Sequence, residues 1–333
     1  PFIVIAMYGA SVGNASISCI NACTNQACCV LYPNNENNLK FLYYWIVIAK
    51  NELLKKSIGG GQPNINQITI KNLNFINLPY KNQQAIADFL DAKCADIDSL
   101  TEDIQKQIDI LKEYKKSVIT QAVTKGIAPN VEMKDSGIAW IGLIPESWRI
   151  FRLKYLLAKP LQYGASETGI EFTKDLPRYI RITDIDENNH LKESGKLSLS
   201  FEKAKPYILK DNCVLFARSG ATVGKTFFYK RSYGLAAFAG YLIAAFTKST
   251  LLCANWLYYY TQSNTYWNWV RQIFNQSTIQ NIGADKYNNL PVTVPTLKEQ
   301  QDIVDYLDAQ CADIDAAIAG KQKQLDVLKE YKK

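Results

Sequence analysis

The sequence has few of the residues and motifs that an enzyme active site usually needs. Its single histidine, His190, lies in a polar segment at residues 186–192. It contains no HExxH pair, nucleophile elbow or dinucleotide-binding glycine fingerprint, and no Asn/Asp-Pro-Pro-aromatic motif of amino-methyltransferases. These absences favour a protein that binds a partner over one that catalyses a reaction.

Long apolar runs and metal-ligand clusters are also scarce. The most apolar stretch, residues 41–49, is too short to span a membrane, and no signal peptide is recognisable. Eight cysteines without secretory features predict reduced thiols in a cytoplasmic protein. Four of these cysteines lie close together, but no CxxC spacing or nearby histidine supports zinc binding by Cys19, Cys23, Cys28 and Cys29.

One glycine-rich motif resembles a phosphate-binding loop without matching it. GATVGKT, at residues 220–226, has three residues between its glycines, whereas a phosphate-binding loop has four. The FFYK that follows is typical of a strand, although a phosphate cradle needs the N-terminus of a helix. The sequence therefore predicts a tight strand–turn–strand whose glycines allow the backbone to approach a ligand.

The most informative feature that is present is a long internal repeat. Residues 84–116 and 301–333 are nearly the same sequence at a constant offset, so that Asp88 matches Asp305 and Tyr114 matches Tyr331. Upstream, GASVG and GATVG also match. The repeat predicts one unit, a globular domain followed by a helix, that is used twice.

The repeated segments have the spacing of helices that pair with one another. Apolar residues recur every seven positions in the first copy, and the second copy is less regular because Lys321 replaces Ile104. An amphipathic helix packed against a core is the alternative interpretation. We predict a helix seam formed by Leu90, Ile97, Ile104, Leu111 and Val118 in the first copy and by Leu307, Ile314, Ile318, Leu325 and Leu328 in the second.

The net charge of +7 is divided unevenly between these segments. Residues 1–82 carry +4 and residues 127–298 carry +8, whereas the helical segments at 83–126 and 299–333 carry −2 and −3. This segregation predicts that the globular domains contact a polyanion and that the helices contact a different kind of partner.

Across its whole length the chain resembles the specificity (S) subunit of a type I restriction–modification system. Four features carry the resemblance. They are DSGIAWIGLIPESWRIFRLKYL at residues 135–156, YIRITDID at 179–186, the ARSGATVGK turn, and the proline and Gln-Gln pairs that precede two helices ending in LKEYKK. The resemblance implies an α+β fold with two repeated target-recognition domains, the first incomplete. Two long helices, forming an antiparallel coiled coil with pseudo-two-fold symmetry, would separate these domains.

The resemblance also implies a division of the chain. The C-terminal part of the first recognition domain would occupy residues 1–82 and the first spacer helix 83–126. The second recognition domain would occupy 127–298, and a truncated second spacer helix 299–333. The short segment before GASVG leads us to expect that much of the first recognition domain is missing.

The function that the resemblance implies is recognition of a bipartite site in double-stranded DNA, one half by each domain. The helices would set the spacing and bind two methyltransferase subunits, which restriction–translocase subunits join. The chain itself would have no active site and no cofactor. S-adenosylmethionine, ATP and Mg would be bound by partner subunits in a bacterial or archaeal cytoplasm, without a membrane. The alternatives are the recognition subunit of another restriction–methylation class and a coiled-coil adaptor without DNA contact.

Residue chemistry suggests which side chains contact DNA. Arginine pairs bidentately with guanine and Gln or Asn with adenine, while lysine and small hydroxyls suit phosphates. A turn cap is the alternative for Asp184, and the tyrosines and tryptophans at 258–260, 267 and 269 are predicted to pack in the core. The predicted contacts are Arg181, Thr183, Asp184, Arg218, Ser219, Thr222, Lys225, Gln276, Thr278 and Gln280 in the second domain, and Ser11, Asn14, Gln62, Asn64 and Asn66 in the first.

Overall fold

The protein is described by a computed structural model that covers residues 1–58, 63–186, 189–220, 222–275 and 281–332. The chain divides into two units. Unit 1 comprises Pro1–Gln105 and Gln324–Lys333, and unit 2 comprises Lys106–Lys323. The division falls inside two long helices, so each unit combines a globular domain with segments of both helices. The domain boundaries expected at residues 82, 126 and 298 therefore stay predictions.

Unit 1 contains an antiparallel sheet, two shorter helices and the first part of a long helix. Its elements are β1 (Phe2–Ala6), β2 (Ala15–Ser18), β3 (Cys28–Leu31), α1 (Leu39–Lys55), α2 (Gln67–Lys71) and α3 (Tyr80–Lys125), which continues into unit 2. The sheet order is β2-β1-β3. The alternation of buried residues in β1 places Ile3 and Ile5 in one core with Ile46 and Leu53 of α1.

Unit 2 is larger and contains most of the strands. Its central antiparallel sheet has the order β12-β11-β14-β7, and a second sheet has the order β13-β9-β10-β8. The elements are β4 (Met133–Asp135), β5 (Leu143–Pro145), β6 (Arg149–Arg152), β7 (Gln162–Tyr163), β8 (Ile170–Glu171), β9 (Arg178–Ile180), β10 (Leu197–Ser198), α4 (Phe201–Ala204), β11 (Cys213–Ala217), β12 (Thr226–Tyr229), β13 (Ala236–Phe238), β14 (Leu242–Ala245), α5 (Ala254–Gln262), α6 (Asn264–Asn275), α7 (Ala284–Tyr287), β15 (Pro291–Val294) and α8 (Leu297–Tyr331).

Strand β11 lies at the centre of unit 2 and is buried on both faces. Phe216 packs into the core that contains α5 and α6, while Leu215 packs into a second core with Phe227 and Phe238. Burial on both sides explains why its sequence is a continuous apolar run without polar alternation. The aromatic residues predicted to be core residues, at 258–260, 267 and 269, all lie in or against the first of these cores.

The two long helices pair antiparallel. In unit 2, Lys115 Nζ lies 2.6 Å from Asp315 Oδ2, while further along α3 the carbonyl of Val123 accepts a hydrogen bond from Thr293, just before α8 begins. In unit 1, Lys332 pairs with Asp98. The sequence repeat relates these two ion pairs, with lysine and aspartate exchanging helices. Within each unit the two helix segments therefore run antiparallel, as predicted.

The residues of the predicted helix seam lie on the less exposed side of each helix, and Val118 and Leu307 pack into the core of the adjoining domain. All ten seam residues are buried or half-buried, and Leu307 and Leu325 are almost completely inaccessible. Ile108, which the heptad count omitted, is also buried, because it lies between Ile104 and Leu111 at the other apolar position of the heptad.

Candidate nucleic-acid interface

The same glycine turn occurs in both units. In unit 1, Val12 N donates to Gly9 O at 3.1 Å and Gly13 N to Ala6 O at 2.9 Å; in unit 2, Val223 and Gly224 repeat both bonds at 3.1 and 3.0 Å. Strand β12 follows directly, which confirms the strand–turn–strand.

The last glycine of each turn has a backbone conformation that few other residues adopt. Gly13 has φ of 78° and Gly224 has φ of 84°. Each packs against a helical residue, since a Cβ on Gly13 would lie 3.1 Å from Lys50 and one on Gly224 would lie 3.1 Å from Val270. Both glycines therefore shape the turn and allow its close approach to a helix.

A second segment lies beside each turn. Ile65 N donates to Met7 O in unit 1, and Ile282 N donates to Arg218 O in unit 2. Isolated bridges join Tyr8 to Asn64 and Ser219 to Asn281. The two units thus share a frame of one turn and one adjoining segment, here called the turn frame (residues 6–14 with 63–66, and 217–225 with 281–283).

In unit 2, the predicted residues Thr222 and Lys225 lie next to the segment that contains Arg181 and Thr183. Thr222 and Lys225 line a small cavity of about 10 Å³ together with Ile182 and Ile185. Thr183 is exposed and Lys225 is half-buried. The structure therefore brings these two predicted groups together on one part of unit 2.

Asp184 has the alternative role of a turn cap and not the predicted role of a DNA contact. Its carboxylate is 4% exposed, accepts a hydrogen bond from Arg181 N at 2.8 Å, and lies 2.6 Å from Arg181 Nη2. The hydrogen bond to this carboxylate raises the pKa of Arg181. Asp184 is thus a turn cap, and Arg181 is largely occupied in holding it.

Arg218 and Ser219 follow β11 directly and are half-buried. The guanidinium carbon of Arg218 lies 4.8 Å from the centre of the Tyr163 ring. Tyr163 and Asn281 have no local signal in the sequence, because only the sheet pairing and the bridge to Ser219 bring them beside Arg218.

In unit 1, Ser11, Asn14 and Asn64 are exposed on the equivalent turn frame. Asn66 has a structural role, since its side chain caps α2 by accepting from Thr69 N at 2.8 Å. Four predicted contact residues, Gln62, Gln276, Thr278 and Gln280, lie outside the described residues.

One buried glutamine in each unit connects the globular domain to its long helix. Gln83 accepts from Asn38 N at 2.9 Å and donates to Glu36 O and Leu78 O. Gln300 makes the equivalent bonds with Cys253 N, Leu251 O and Pro295 O. Both glutamines are completely buried. The first residue of each Gln-Gln pair in the sequence therefore has a structural role: its side chain links the domain to the helix by hydrogen bonds.

A tyrosine–aspartate pair makes a second repeated connection. Tyr44 donates to Asp91 at 2.7 Å, and Tyr259 donates to Asp308. Lys40 also donates to Asp91, and this bond lowers the pKa of the Asp91 carboxyl. Burial and the bond to Asp308 raise the pKa of Tyr259. Each domain is thus held to its helix by equivalent polar contacts.

The described residues contain neither a metal-binding cluster nor a membrane-spanning helix. Within the described ranges, no group of three or more His, Cys, Asp or Glu side chains is placed to hold a metal ion, and all eight cysteines are free thiols. No described helix combines the length and the apolar character that crossing a bilayer requires.

The comparison with family models decides the family. The model described as the type I restriction modification DNA specificity domain matches residues 1–109 and 146–327. The chain belongs to this family. Membership explains why the match falls into two blocks, since each block contains one turn frame and most of one long helix.

Curated relatives are other specificity subunits. The chain is 24% identical over 316 residues to the type I restriction enzyme EcoBI specificity subunit of Escherichia coli, covering 87% of the chain and 63% of that protein. It is 28% identical over 145 residues to the MjaVIII specificity subunit of Methanocaldococcus jannaschii, covering 44% of the chain and 32% of that protein. The chain thus spans less than two thirds of the length of these relatives.

A solved structure supports the same fold. It is described as the structural basis underlying complex assembly and conformational transition of the type I R-M system. It matches with a TM-score of 0.73 at 16% identity, covering 99% of this chain and 79% of the matched chain. At this identity the match concerns the fold alone.

Proposed function

We propose that this chain is the DNA-specificity subunit of a type I restriction–modification complex. One observation carries the proposal: two units are built on the same turn frame, and each contains segments of both long helices that pair antiparallel through an equivalent ion pair. Two equivalent binding modules on a paired helical support suit a bipartite double-stranded DNA site, in which each domain contacts one half.

The turn frames form the proposed DNA interface. The excess of basic residues in the segments that carry the frames, residues 1–82 and 127–298, suits a phosphate backbone, and the hydroxyl and amide side chains of the frames suit phosphates and base edges. The interface excludes the buried Asp184 and the helix cap Asn66. It comprises Thr183, Arg218, Ser219, Thr222 and Lys225 in unit 2 and Ser11, Asn14 and Asn64 in unit 1.

The long helices would set the distance between the two halves of the site and dock two methyltransferase subunits, which restriction–translocase subunits join. The acidic balance of the helical segments distinguishes them from the basic domains and supports a protein partner for the helices. In this proposal the chain supplies no catalytic group. S-adenosylmethionine, ATP and Mg are bound by the partner subunits in this proposal.

The test is methylome sequencing of cells that carry the intact system, with or without the gene for this chain. We expect methylated adenines in a two-part motif with a fixed spacer, and loss of that methylation when the gene is deleted. Methylation that persists without this chain would contradict the proposal, as would copurification with no methyltransferase.

A further inference from the structure

We infer that Arg218 reads a guanine in the DNA target, and that the ring of Tyr163 is the positioning group that holds its guanidinium. This inference rests on the proposed function and deepens it. It names one base contact and one supporting residue, Tyr163, that the sequence analysis did not single out.

The central sheet of unit 2 brings the two residues together. Tyr163 is the last residue of β7 and Arg218 directly follows β11, while β14 lies between these strands in the sheet. Tyr163 pairs with Ile243 of β14, and Arg218 N donates to the carbonyl of Tyr241, just before β14, at 3.0 Å. Arg218 and Tyr163 thus lie at the same end of the sheet, next to the glycine turn.

The ring of Tyr163 is fixed independently of Arg218. Its hydroxyl accepts a hydrogen bond from Ala284 N at 2.9 Å, and its backbone belongs to the sheet. The guanidinium carbon of Arg218 lies 4.8 Å from the ring centre, within the range of a cation–π contact. Stacking on a fixed ring restricts the rotamers of an arginine, so less conformational entropy is lost when its fork binds a base.

The guanidinium of Arg218 forms no hydrogen bond or ion pair with the described residues of unit 2. Its Nε atom is buried without a hydrogen-bond partner there, and no described carboxylate forms an ion pair with it. Arg181, by contrast, is paired with Asp184. Because Arg218 is half-buried while its Nε is fully covered, the terminal Nη atoms are the donors left for a ligand.

Guanine is the base that matches such a donor pair. In the major groove its O6 and N7 atoms both accept hydrogen bonds, and they lie side by side as the two donors of an arginine fork require. Adenine presents one acceptor beside a donor, so it cannot accept both bonds.

Unit 1 shows that the fold does not require an arginine at this position. Met7 occupies the equivalent place, with its amide donating to Ala27 O and its carbonyl accepting from Ile65 N. Met7 is 6% exposed and has no strong donor. The same turn frame therefore forms around a buried apolar side chain, and the guanidinium of Arg218 is an addition specific to unit 2.

The test uses the full chain purified with the methyltransferase subunit of its own system, and a pool of double-stranded DNA with each target base pair varied. The first variant is Arg218→Met, which copies unit 1 and should preserve the fold. We expect the wild-type complex to prefer G·C at one position of one half-site, and Arg218→Met to reduce that preference by about tenfold or more.

Tyr163 is tested through Arg218. Tyr163→Leu should weaken the same preference at the same base pair, while Tyr163→Phe, which keeps the ring but loses the hydrogen bond from Ala284 N, should weaken it less. Combining Tyr163→Leu with Arg218→Met should give the same preference as Arg218→Met alone. Unchanged selectivity in Arg218→Met would overturn the guanine contact. Additive effects, or an effect of Tyr163→Leu at a different base pair, would overturn the positioning role.

Two controls separate the possible failures. A wild-type complex that enriches no motif from the pool would contradict the proposed function itself, whatever the variants do. Thermal unfolding of each variant reports on the fold. If Arg218→Met is less stable than wild type, Arg218→Gln replaces it, because glutamine is also polar but pairs with adenine, not with guanine. Loss of the guanine preference in that variant supports the inference, and its retention contradicts it.

Discussion

Units 1 and 2 share their backbone frame but differ in the side chains that the frame presents. Met7 and Arg218 hold the same backbone hydrogen bonds, and Asn14 and Lys225 both donate their amide to the third residue of the glycine turn. The frame, the buried glutamines and the helix ion pairs are repeated. The side chains at the two positions that flank the turn, Met7 against Arg218 and Asn14 against Lys225, are not.

This difference suggests how the molecule divides its tasks. Repeated contacts such as those of Gln83 and Gln300 fix each domain on its helix, so they tolerate little change. Positions such as 7 and 218 are free to differ because the backbone bonds do not depend on the side chain. In the proposed function, this arrangement lets the base preference of one domain change without altering the contacts that hold the domain to its helix.

The largest effect on stability is expected from replacing the buried glutamines, Gln300 and Gln83. Gln300→Ala would leave the part-buried Cys253 N and Leu251 O and the buried Pro295 O without this partner, which should lower the free energy of unfolding by about 2 kcal/mol. Gln83→Ala should cost a similar amount in unit 1. Chemical denaturation followed by circular dichroism measures both.

The matched control is the second glutamine of the pair. Gln301 is exposed and its side chain donates to Asp305, one turn further along α8, so Gln301→Ala should change the stability by less than about 0.5 kcal/mol. A loss in Gln300→Ala no greater than this would show that the buried glutamine does not fasten the domain.

The next effect concerns DNA affinity and sharpens the contrast between the two turns. Lys225→Ala should weaken DNA binding about equally for all sequences and reduce the slope of log affinity against log salt by about one. Asn14→Lys, which gives unit 1 the residue of unit 2, should increase the slope by about one. Titrations of the complex at several salt concentrations test both variants.

Lys323→Ala, on the exposed surface of α8, is the control for these titrations. Its salt slope should equal that of the wild type, because it lies outside both turn frames. If Lys225→Ala behaves like this control, the turn lysine does not contact a phosphate.

A smaller effect is expected at low pH in unit 1. The bond from Lys40 lowers the pKa of Asp91, so the ionised form stabilises the folded state above the unfolded pKa of about 3.9. This contribution disappears as the pH falls through the folded pKa. Asp91→Asn should therefore be less stable than wild type at pH 7, and the difference should shrink below about pH 4.

Thermal unfolding across this pH range measures the difference. Asp96→Asn is the comparison, because its ion pair with Lys93 is long, at 3.8 Å, and highly exposed. A stability gap for Asp91→Asn that stays constant down to pH 2 would mean that the carboxylate charge makes no contribution.

The smallest effect is expected from the helix ion pairs. Asp315→Ala and Asp98→Ala each remove one exposed pair, and each should cost no more than about 0.5 kcal/mol. The two losses should be equal within error, because the pairs are related by the repeat. A loss at one site several times larger than at the other would break the equivalence of the two units.

The sequence predicted the parts of the molecule that depend on periodicity. The heptads gave the pairing face of both helices, and the glycine spacing gave the turn. Contacts between residues far apart in the chain, such as Arg218 with Tyr163, depend on the sheet order, which has no local signal in the sequence. Asp184 was misplaced because a charged residue in a polar motif has the same pattern whether it caps a turn or contacts a ligand.

The central claim is that the paired helices set the distance between two half-sites. It is tested by inserting one heptad into α3 between Asp98 and Lys115 and another into α8 between Asp315 and Lys332, which keeps both the seam and the ion pairs. The insertion adds about 10 Å of helix, or about three base pairs of DNA.

The measurement is methylome sequencing of cells in which the intact system carries both insertions. We expect methylation at sites whose spacer is about three base pairs longer, or loss of methylation because one half-site is rotated around the DNA axis. Full methylation at the original spacing would contradict the claim that the helices set the distance.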